Sequence, residues 1–254
     1  MGRVINLKSS SEIEKMLEAN QIVAMTLAML GDKIKPGITT LQLDSWAEDF
    51  AREHGAVPAF KGYRGFPGSL CVSIDDEVVH GIPSDRVVLK EGAIVSIDFG
   101  VKYKGFYGDS AVTLPVGKVS ANKRKLIDVT RQSLELAIQQ VRVGNRINDL
   151  SRAVQRYVEK NGFSVVRQFV GHGIGSQLHE APEIPNYERK ERSPRLLAGM
   201  ALAIEPMVNA GTYEVEVMKD GWTVLTLDRK PSAHFEHTVV VTEDEPLVLS
   251  RLQS

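Results

Sequence analysis

Cysteine is nearly absent from this chain, with one residue, Cys71, among 254. A single cysteine excludes an intramolecular disulfide and a cysteine-built zinc site, and it is typical of a reducing compartment, so we expect a cytoplasmic protein. Long apolar runs are also lacking, because no stretch reaches the roughly 18 residues of a membrane span. The first ten residues, MGRVINLKSS, lack the apolar core of a signal peptide.

Charge of one sign is not in excess either. Lysine and arginine total 31 and aspartate and glutamate total 32, which gives a formal net charge of −1. This balance lacks the basic footprint of a nucleic-acid binder, so we expect neither a DNA nor a membrane partner. Hydrophobic residues make up 43% and charged residues 25%, as in ordinary globular proteins. No linker or low-complexity segment interrupts the chain, so residues 1–254 are interpreted as a single domain.

Apolar residues recur at three- and four-residue steps in four segments, which predicts four amphipathic helices. Their approximate ranges are 11–35, 40–55, 126–141 and 147–162. The first is predicted to begin with a capping box, Ser11 to Glu14, and its apolar face has one polar interruption, Asn20. The text after each helix pair alternates short apolar runs with glycine and proline, which predicts strands and turns.

The order helix, helix, strands therefore occurs twice, in halves at about 11–118 and 120–250. The two halves match at an offset of 107 residues, which pairs Leu43 with Leu150 and Asp98 with Glu205. This repeat predicts an α+β fold with pseudo-twofold halves and helices on one face of a curved antiparallel sheet. Related strands about a pseudo-dyad would bring Asp98 and Glu205 close together.

Four carboxylates interrupt segments that are otherwise apolar and predicted to form strands. They are Asp98 in AIVSIDFG, Asp109 in GFYGDSAVTL, Glu205 in ALAIEPMV and Glu236 in HFEHTVVV. Each alone fits a turn or a strand edge, but a buried carboxylate is costly unless it is paired or bound to metal. A hairpin would return Asp109 to the side of Asp98. The four together favour a metal site.

Three histidines lie beside glycine or in turn-like text: His80 in VVHGIP, His172 in GHGIG and His179 in QLHEAP. A lone histidine is more often structural than a ligand, although flanking glycines permit close backbone approach. Four carboxylates with His172 form an oxygen-rich set that suits manganese, iron or cobalt. Two cations would explain how so many acids lie together, and such a pair supports metal-assisted hydrolysis.

These motifs occur in a diagnostic order: VVHGIP, SIDFG, GFYGDSAVT, FVGHGIG, LHEAP, AIEPM and HFEHT. In this order the chain resembles the methionine aminopeptidases of the short bacterial type I form. The resemblance implies the pita-bread fold and removal of the initiator methionine from nascent chains and peptides whose second residue is small. It also implies two divalent cations, such as cobalt, manganese or iron. Nothing in the sequence demands more than a monomer.

The resemblance also implies roles for individual residues. The implied metal ligands are Asp98, Asp109, His172, Glu205 and Glu236, with Asp109 and Glu236 bridging the two ions. Glu205 would also shuttle the proton, His179 would stabilise the carbonyl oxygen, and His80 would contact the scissile amide. The implied methionine pocket comprises Tyr63, Phe66, Cys71 and Trp222. Phe60 and Leu178 depart from residues common in related chains, which affects the shape of the pocket.

Two other functions remain open from the sequence. An X-Pro aminopeptidase or a prolidase-like peptidase shares the fold and ligands but usually carries a large additional N-terminal domain. A metal-free binding module on the same scaffold would have lost ligands, and all five are present here. A basic loop with Arg189, Lys190, Arg192 and Arg195 is a candidate contact for ribosomal RNA, although a solvated loop is the simpler interpretation.

Overall fold

The structure is a computed structural model that describes residues 4–253. Its α-helices are α1 (Ser10–Lys33), α2 (Thr40–Glu53), α3 (Ala121–Ile138) and α4 (Ile147–Lys160). The four predicted helices are therefore present, with bounds within two or three residues of those expected except at the start of α3, which begins five residues earlier than predicted. Each half of the chain begins with one pair of helices that contact each other. No helix in the range 4–253 combines the length and apolar character needed to cross a bilayer.

The start of α1 differs from the prediction. The capping box is formed by Ser9 and Glu12, and the Ser9 amide donates to Glu12 Oε2 at 2.8 Å. The sequence SSSEIE offers the same spacing twice, so the local pattern alone does not choose between them. The Lys8 amide donates to the Gly199 carbonyl at 2.7 Å, which ties the chain to the second half immediately before Ser9. This tertiary contact favours the earlier start.

The strands are short except for one long hairpin, β4 with β5. In chain order they are β1 (Val57–Pro58), β2 (Cys71–Ile74), β3 (Glu77–Val79), β4 (Ile94–Tyr103), β5 (Phe106–Pro115), β6 (Ser164–Val165), β7 (Gly171–Gly173), β8 (Glu180–Ile184), β9 (Ala201–Ile204), β10 (Met207–Asn209), β11 (Val215–Val217), β12 (Val224–Thr226), β13 (Ser232–His234), β14 (Glu236–Val240) and β15 (Leu247–Val248). A 3₁₀ turn spans Tyr63–Gly65.

The main sheet has nine strands and the order β1-β4-β5-β14-β9-β7-β8, with β2 paired to β4 and β15 to β14. Its centre, β4-β5-β14-β9, is arranged symmetrically about the boundary between the two halves. Two three-stranded sheets, β13-β10-β6 and β11-β12-β3, flank it. The strand order confirms the predicted pseudo-twofold α+β arrangement, with Asp98 on β4 and Glu205 directly after β9, the equivalent strand of the second half.

The helices cover one face of the main sheet. On β4, Ile97 and Phe99 are fully buried in a cluster shared with Leu27 of α1 and Leu43 of α2. A matching cluster joins α3 and α4 to the strands of the second half. Because successive strand residues point to opposite faces, Asp98 projects to the face away from the helices. The carboxylates therefore lie on the concave side, opposite the helical layer.

Candidate metal centre and substrate cavity

Strand register brings three of the four carboxylates together. Asp98 on β4 and Glu236 on β14 are both register partners of Ala111 on β5, so the two acids flank one residue in the same row. Asp109 lies two residues from Ala111 along β5 and therefore on the same face. The expected hairpin between Asp98 and Asp109 is present, with Asp109 opposite Gly100.

His172 reaches the same face from the second half. On β7 it pairs with Ala203 of β9, which in turn pairs with Thr238 of β14. The neighbouring glycines allow this close packing: a Cβ at Gly171 would lie 2.4 Å from the Ala203 carbonyl oxygen, and one at Gly173 would lie 2.1 Å from that of Ala181. The GHG sequence is therefore a requirement of the sheet around the imidazole.

Glu205 follows the last residue of β9 and precedes Pro206. Its Oε1 atom lies 3.7 Å from His172 Nε2, and its Oε2 atom lies 3.5 Å from His234 Nε2. His172 Nδ1 is 2.9 Å from the Gly173 carbonyl oxygen, which orients that ring with Nε2 available on the other side. All five residues implied as ligands thus line one cavity.

The polar atoms of this cluster fit a cation site. Ligand-type atoms of Asp109, His172 and Glu236 all lie within 4.8 Å of one another. One oxygen of each of Asp98, Asp109 and Glu236 is buried without a hydrogen-bond partner. Within residues 4–253, no lysine or arginine forms an ion pair with any of the four carboxylates. Buried anions without such partners need cations, and this donor set suits a divalent metal.

The electrostatics of the carboxylates agree with that requirement. Burial raises the pKa of Asp98 and of Glu205 to about 7, and the nearby Glu205 charge adds to the effect on Asp98. Burial and the neighbouring carboxylates raise the pKa values of Asp109 and Glu236 well above the ordinary range. The cluster resists full ionisation unless positive charge is supplied.

His80 lies in a strained turn at the edge of the cavity. Its φ is 60°, a left-handed conformation that non-glycine residues rarely adopt. The turn is held by β2, because the Val72 amide donates to the Gly81 carbonyl at 3.0 Å and a Cβ at Gly81 would lie 2.1 Å from the Val72 oxygen. Burial lowers the His80 pKa to about 4, so its imidazole is neutral at pH 7.

His179 is held by an aromatic partner. The Tyr63 hydroxyl lies 2.9 Å from His179 Nδ1, and the two rings stack at 5.3 Å between centroids. Burial, followed by the charges of His172 and Arg64, lowers the His179 pKa to about 3. The ring is therefore neutral at pH 7. If the Tyr63 hydroxyl donates to Nδ1, Nε2 carries the proton and is a hydrogen-bond donor.

The four residues implied as a methionine pocket line the same cavity as the carboxylates. Phe66 packs edge-on against Trp222 with ring centroids 5.1 Å apart. Cys71, on β2, is buried and is the register partner of Asp98 on β4. The cavity encloses about 670 Å³, its open mouth included. Three further residues line it: Phe60, Arg64 and Leu178. Phe60 and Leu178 are the two departures noted in the sequence.

The pocket wall between residues 59 and 70 is anchored by α2. Asp44 Oδ1 accepts hydrogen bonds from the amides of Ser69 and Leu70 at 2.7 and 2.8 Å. Glu48 Oε2 accepts from Ser69 Oγ at 2.7 Å and from Lys61 Nζ at 2.8 Å. Both ends of this segment are therefore fixed to one helix.

Three contributors to the site were not predicted from the sequence. Asn20 is fully buried in α1, and its Oδ1 accepts a hydrogen bond from the Asp109 amide at 3.3 Å. His234, which the sequence leaves as either a surface residue or a neighbour of the ligands, is buried beside Glu205. Lys8 forms a buried ion pair with Glu180, the neighbour of His179, at 2.7 Å. The polar interruption at Asn20 was a signal; the other two depend on tertiary contacts.

The basic loop lies outside this cavity. Within it, Arg189 forms an ion pair with Glu183 at 3.1 Å, and the Arg189 carbonyl accepts from Asn148 Nδ2 at 2.8 Å. None of its four basic residues lines the cavity that holds the carboxylates. Contact of this loop with ribosomal RNA stays a prediction.

Comparisons with known proteins agree with this geometry. The model of metallopeptidase family M24 matches residues 14–243. The chain is 51% identical over 250 residues to a methionine aminopeptidase from Clostridium perfringens, with 98% of this chain and 100% of the relative covered. It superposes on a crystal structure of methionine aminopeptidase from Thermotoga maritima with a TM-score of 0.96 at 45% identity, covering 98% of this chain and 100% of that one.

A more distant likeness concerns the runner-up function. An Xaa-Pro dipeptidase from Bacillus anthracis superposes with a TM-score of 0.78 at 22% identity, and the match covers 98% of this chain but 62% of that one. This similarity shows the shared pita-bread fold alone. The close relatives, in contrast, match this chain from end to end, and on that evidence the chain belongs to the methionine aminopeptidases of metallopeptidase family M24.

Proposed function

We propose that this chain removes N-terminal methionine from peptides whose second residue is small, with two divalent cations held by Asp98, Asp109, His172, Glu205 and Glu236. The observation that carries the proposal is the row of buried carboxylate oxygens without hydrogen-bond partners on the concave face of the sheet. Four carboxylates carry four negative charges when ionised, which two divalent cations balance.

The protein's own groups supply positioning and proton transfer. Cations bound at this centre supply Lewis acidity and lower the pKa of water. Glu205 has one oxygen near His172 and the other near His234, and it is the carboxylate that we assign as general base and then general acid. It takes the proton of the attacking water and passes it to the leaving amine.

The two neutral imidazoles are assigned to the peptide. His179, oriented by the Tyr63 hydroxyl, donates from Nε2 to the scissile carbonyl oxygen as negative charge develops there. His80 contacts the scissile amide or the leaving group, and the surrounding structure fixes its left-handed backbone. Because both pKa values lie far below 7, each ring donates a hydrogen bond without adding a positive charge near the cations.

The methionine side chain is assigned to the aromatic part of the cavity. Phe66 and Trp222 offer ring faces and edges to a flexible, polarizable thioether, and the buried Cys71 adds a small apolar surface. Phe60 and Leu178 also line the cavity and set its shape. The preference for a small second residue is an expectation from the family.

A peptide assay tests the proposal. Met-Gly and X-Pro peptides are supplied with manganese, cobalt or iron, with and without chelator. We expect Met-Gly cleavage that chelator abolishes and the same metal restores. Faster X-Pro cleavage would favour the prolidase-like alternative. Metal-independent activity would contradict the metal centre, and tight peptide binding without cleavage would favour a binding module.

The remaining assignments follow from this role. We propose that the chain acts as one catalytic domain, as a monomer in the cytoplasm, on the N-termini of nascent chains and peptides. The free thiol of Cys71 is compatible with a reducing compartment. Sedimentation of the purified protein tests the monomer, and co-sedimentation with ribosomes after charge reversal at Arg189 and Arg192 tests the basic loop.

A further inference from the structure

Arg64 is a positively charged residue at the cavity that the proposed reaction does not use. It is the one lysine or arginine among the described residues that line the cavity, and its side chain is exposed to solvent. A side chain that both lines a cavity and is exposed lies at the mouth. Arg64 therefore lies where a peptide leaves the catalytic centre.

The guanidinium of Arg64 has no carboxylate partner. Within residues 4–253 no aspartate or glutamate oxygen lies within 4.0 Å of its guanidinium nitrogens. The Cζ atom of Arg64 lies 5.4 Å from the centroid of the Tyr63 ring. Other exposed arginines, such as Arg52 and Arg142, are paired with acids. Arg64 is thus free to bind an anionic group of a ligand.

The backbone at Arg64 is fixed in an unusual conformation. Its φ and ψ are 49° and 25°, left-handed values that cost energy in any residue with a Cβ. Gly62 and Gly65, on either side, also have positive φ, and α2 anchors both ends of the segment. The position of Arg64 relative to Tyr63, and through it to His179, is therefore held by the fold.

The length of an extended peptide indicates which of its residues Arg64 can contact. His179 is assigned to the scissile carbonyl, and Arg64 follows directly after the tyrosine that binds His179. An extended peptide advances about 3.3–3.6 Å per residue, so when its first residue fills the pocket its third and fourth residues extend away from the scissile carbonyl, towards the mouth. With the cluster acids balanced by cations, Arg64 is the charged residue that remains among the described residues lining the cavity.

We propose that Arg64 is a specificity-determining residue that favours substrates with a carboxylate side chain at their third or fourth position and disfavours a cationic side chain there. This inference rests on the proposed function. An exposed ion pair changes affinity modestly, so we expect wild-type kcat/KM to be about 3- to 10-fold higher for glutamate than for lysine at position three. The preference should weaken with added salt.

The test uses the full chain loaded with manganese and C-terminally amidated tetrapeptides, Met-Gly-Glu-Gly, Met-Gly-Gln-Gly and Met-Gly-Lys-Gly. Amidation removes the terminal carboxylate as a second source of negative charge. The measured quantity is the Glu-to-Lys ratio of kcat/KM within each enzyme, which does not depend on the fraction of active protein. The variants are Arg64→Gln, Arg64→Lys and Arg64→Glu, with Arg124→Gln as a matched loss of charge on α3, outside the cavity.

We expect the ratio to fall to about one in Arg64→Gln, to be kept in Arg64→Lys and Arg124→Gln, and to invert in Arg64→Glu, mainly through KM. If Met-Gly-Gln-Gly is cleaved but the wild-type ratio is near one, or is unchanged in Arg64→Gln, the role of Arg64 is overturned while the proposed function stands. If no peptide is cleaved with any metal, the proposed function fails and this inference fails with it.

Discussion

Asp98 and Glu236 lie opposite the same residue, Ala111, from the two strands that flank it. These acids are 138 positions apart in the chain, yet the sheet places them in one row on its concave face. Two ionised carboxylates on either side of one residue, each with an oxygen shielded from water, repel each other and lose hydration. Such a row stays fully ionised only when positive charge compensates it, and this is the basis of the proposed metal centre.

The first prediction concerns this compensation. In metal-free protein near pH 7.5, we expect the free energy of unfolding of Asp109→Asn to equal that of wild type or to exceed it by up to about 2 kcal/mol. The reason is that the substitution removes a buried carboxylate in which one oxygen has no hydrogen-bond partner. Excess manganese should stabilise wild type by about 2–4 kcal/mol and the variant by much less. Urea unfolding with and without manganese measures both effects.

Asp49→Asn on α2 is the control for this experiment, because Asp49 is exposed and lies outside the cavity. It should leave the gain from manganese unchanged. An Asp109→Asn protein that keeps the full metal-dependent gain would remove Asp109 from the ligand set.

His80 gives a second prediction. His80→Ala and His80→Gly should both lower kcat/KM by about 10²–10³-fold while metal content is unchanged, because the imidazole acts on the peptide. The glycine variant should be more stable than the alanine variant by about 1 kcal/mol, since φ at this position is 60°. Metal analysis, peptide kinetics and unfolding on the same samples check this. Loss of metal in either variant would identify His80 as a ligand instead.

The hydrogen bond between Tyr63 and His179 gives a third. Tyr63→Phe keeps the ring in the cavity but removes the group that orients His179 Nδ1. We expect kcat to fall roughly 2- to 12-fold, the value of one hydrogen bond, with KM for Met-Gly peptides little changed. His179→Ala should cost more than Tyr63→Phe, and adding Tyr63→Phe to His179→Ala should then have almost no further effect. Additive losses in this double-mutant cycle would contradict the coupling.

Glu77 gives a prediction for pH dependence outside the catalytic centre. Burial, partly offset by a hydrogen bond from the Ile74 amide, raises its pKa to about 7. The unfolded chain has the ordinary value near 4.3, so it binds fewer protons than the folded chain between these pH values. The contribution of Glu77 to stability is therefore fully present below pH 4.3 and is lost as pH rises through 7.

Glu77→Gln removes this dependence while keeping an oxygen to accept from Ile74. The stability of the variant relative to wild type should increase by about 1–3 kcal/mol between pH 5 and pH 8. Urea unfolding at both pH values measures it, with the exposed Glu14→Gln of α1 as control. A difference that is constant across this range would show that Glu77 has an ordinary pKa in the folded protein.

Much of the fold could be predicted because its signals are local. Helical periodicity and the glycines that end the helices predicted the four helices. The 107-residue offset predicted that Asp98 and Glu205 occupy equivalent positions in the two halves, and the strand order β4-β5-β14-β9 confirms this. The start of α1 was misplaced by two residues because SSSEIE holds two equivalent capping patterns, and a contact from Lys8 to Gly199 decides between them.

The remaining features of the site depend on contacts that no local pattern specifies. A Cβ at Gly108 would lie 2.7 Å from the Asn20 backbone nitrogen, so this glycine lets β5 approach α1 closely enough for Asn20 to bind the Asp109 amide. His234 looked like one polar residue among several in HFEHT, and only the packing of β13 beside Glu205 buries it.

Anomalous diffraction at the manganese edge, from crystals grown with excess manganese, tests the metal centre most directly. We expect two peaks about 3.5–4 Å apart in this cavity, within ligand distance of Asp98, Asp109, His172, Glu205 and Glu236 between them. Absence of peaks at this cluster, or manganese bound elsewhere while the four carboxylates contact only water and protein, would contradict it.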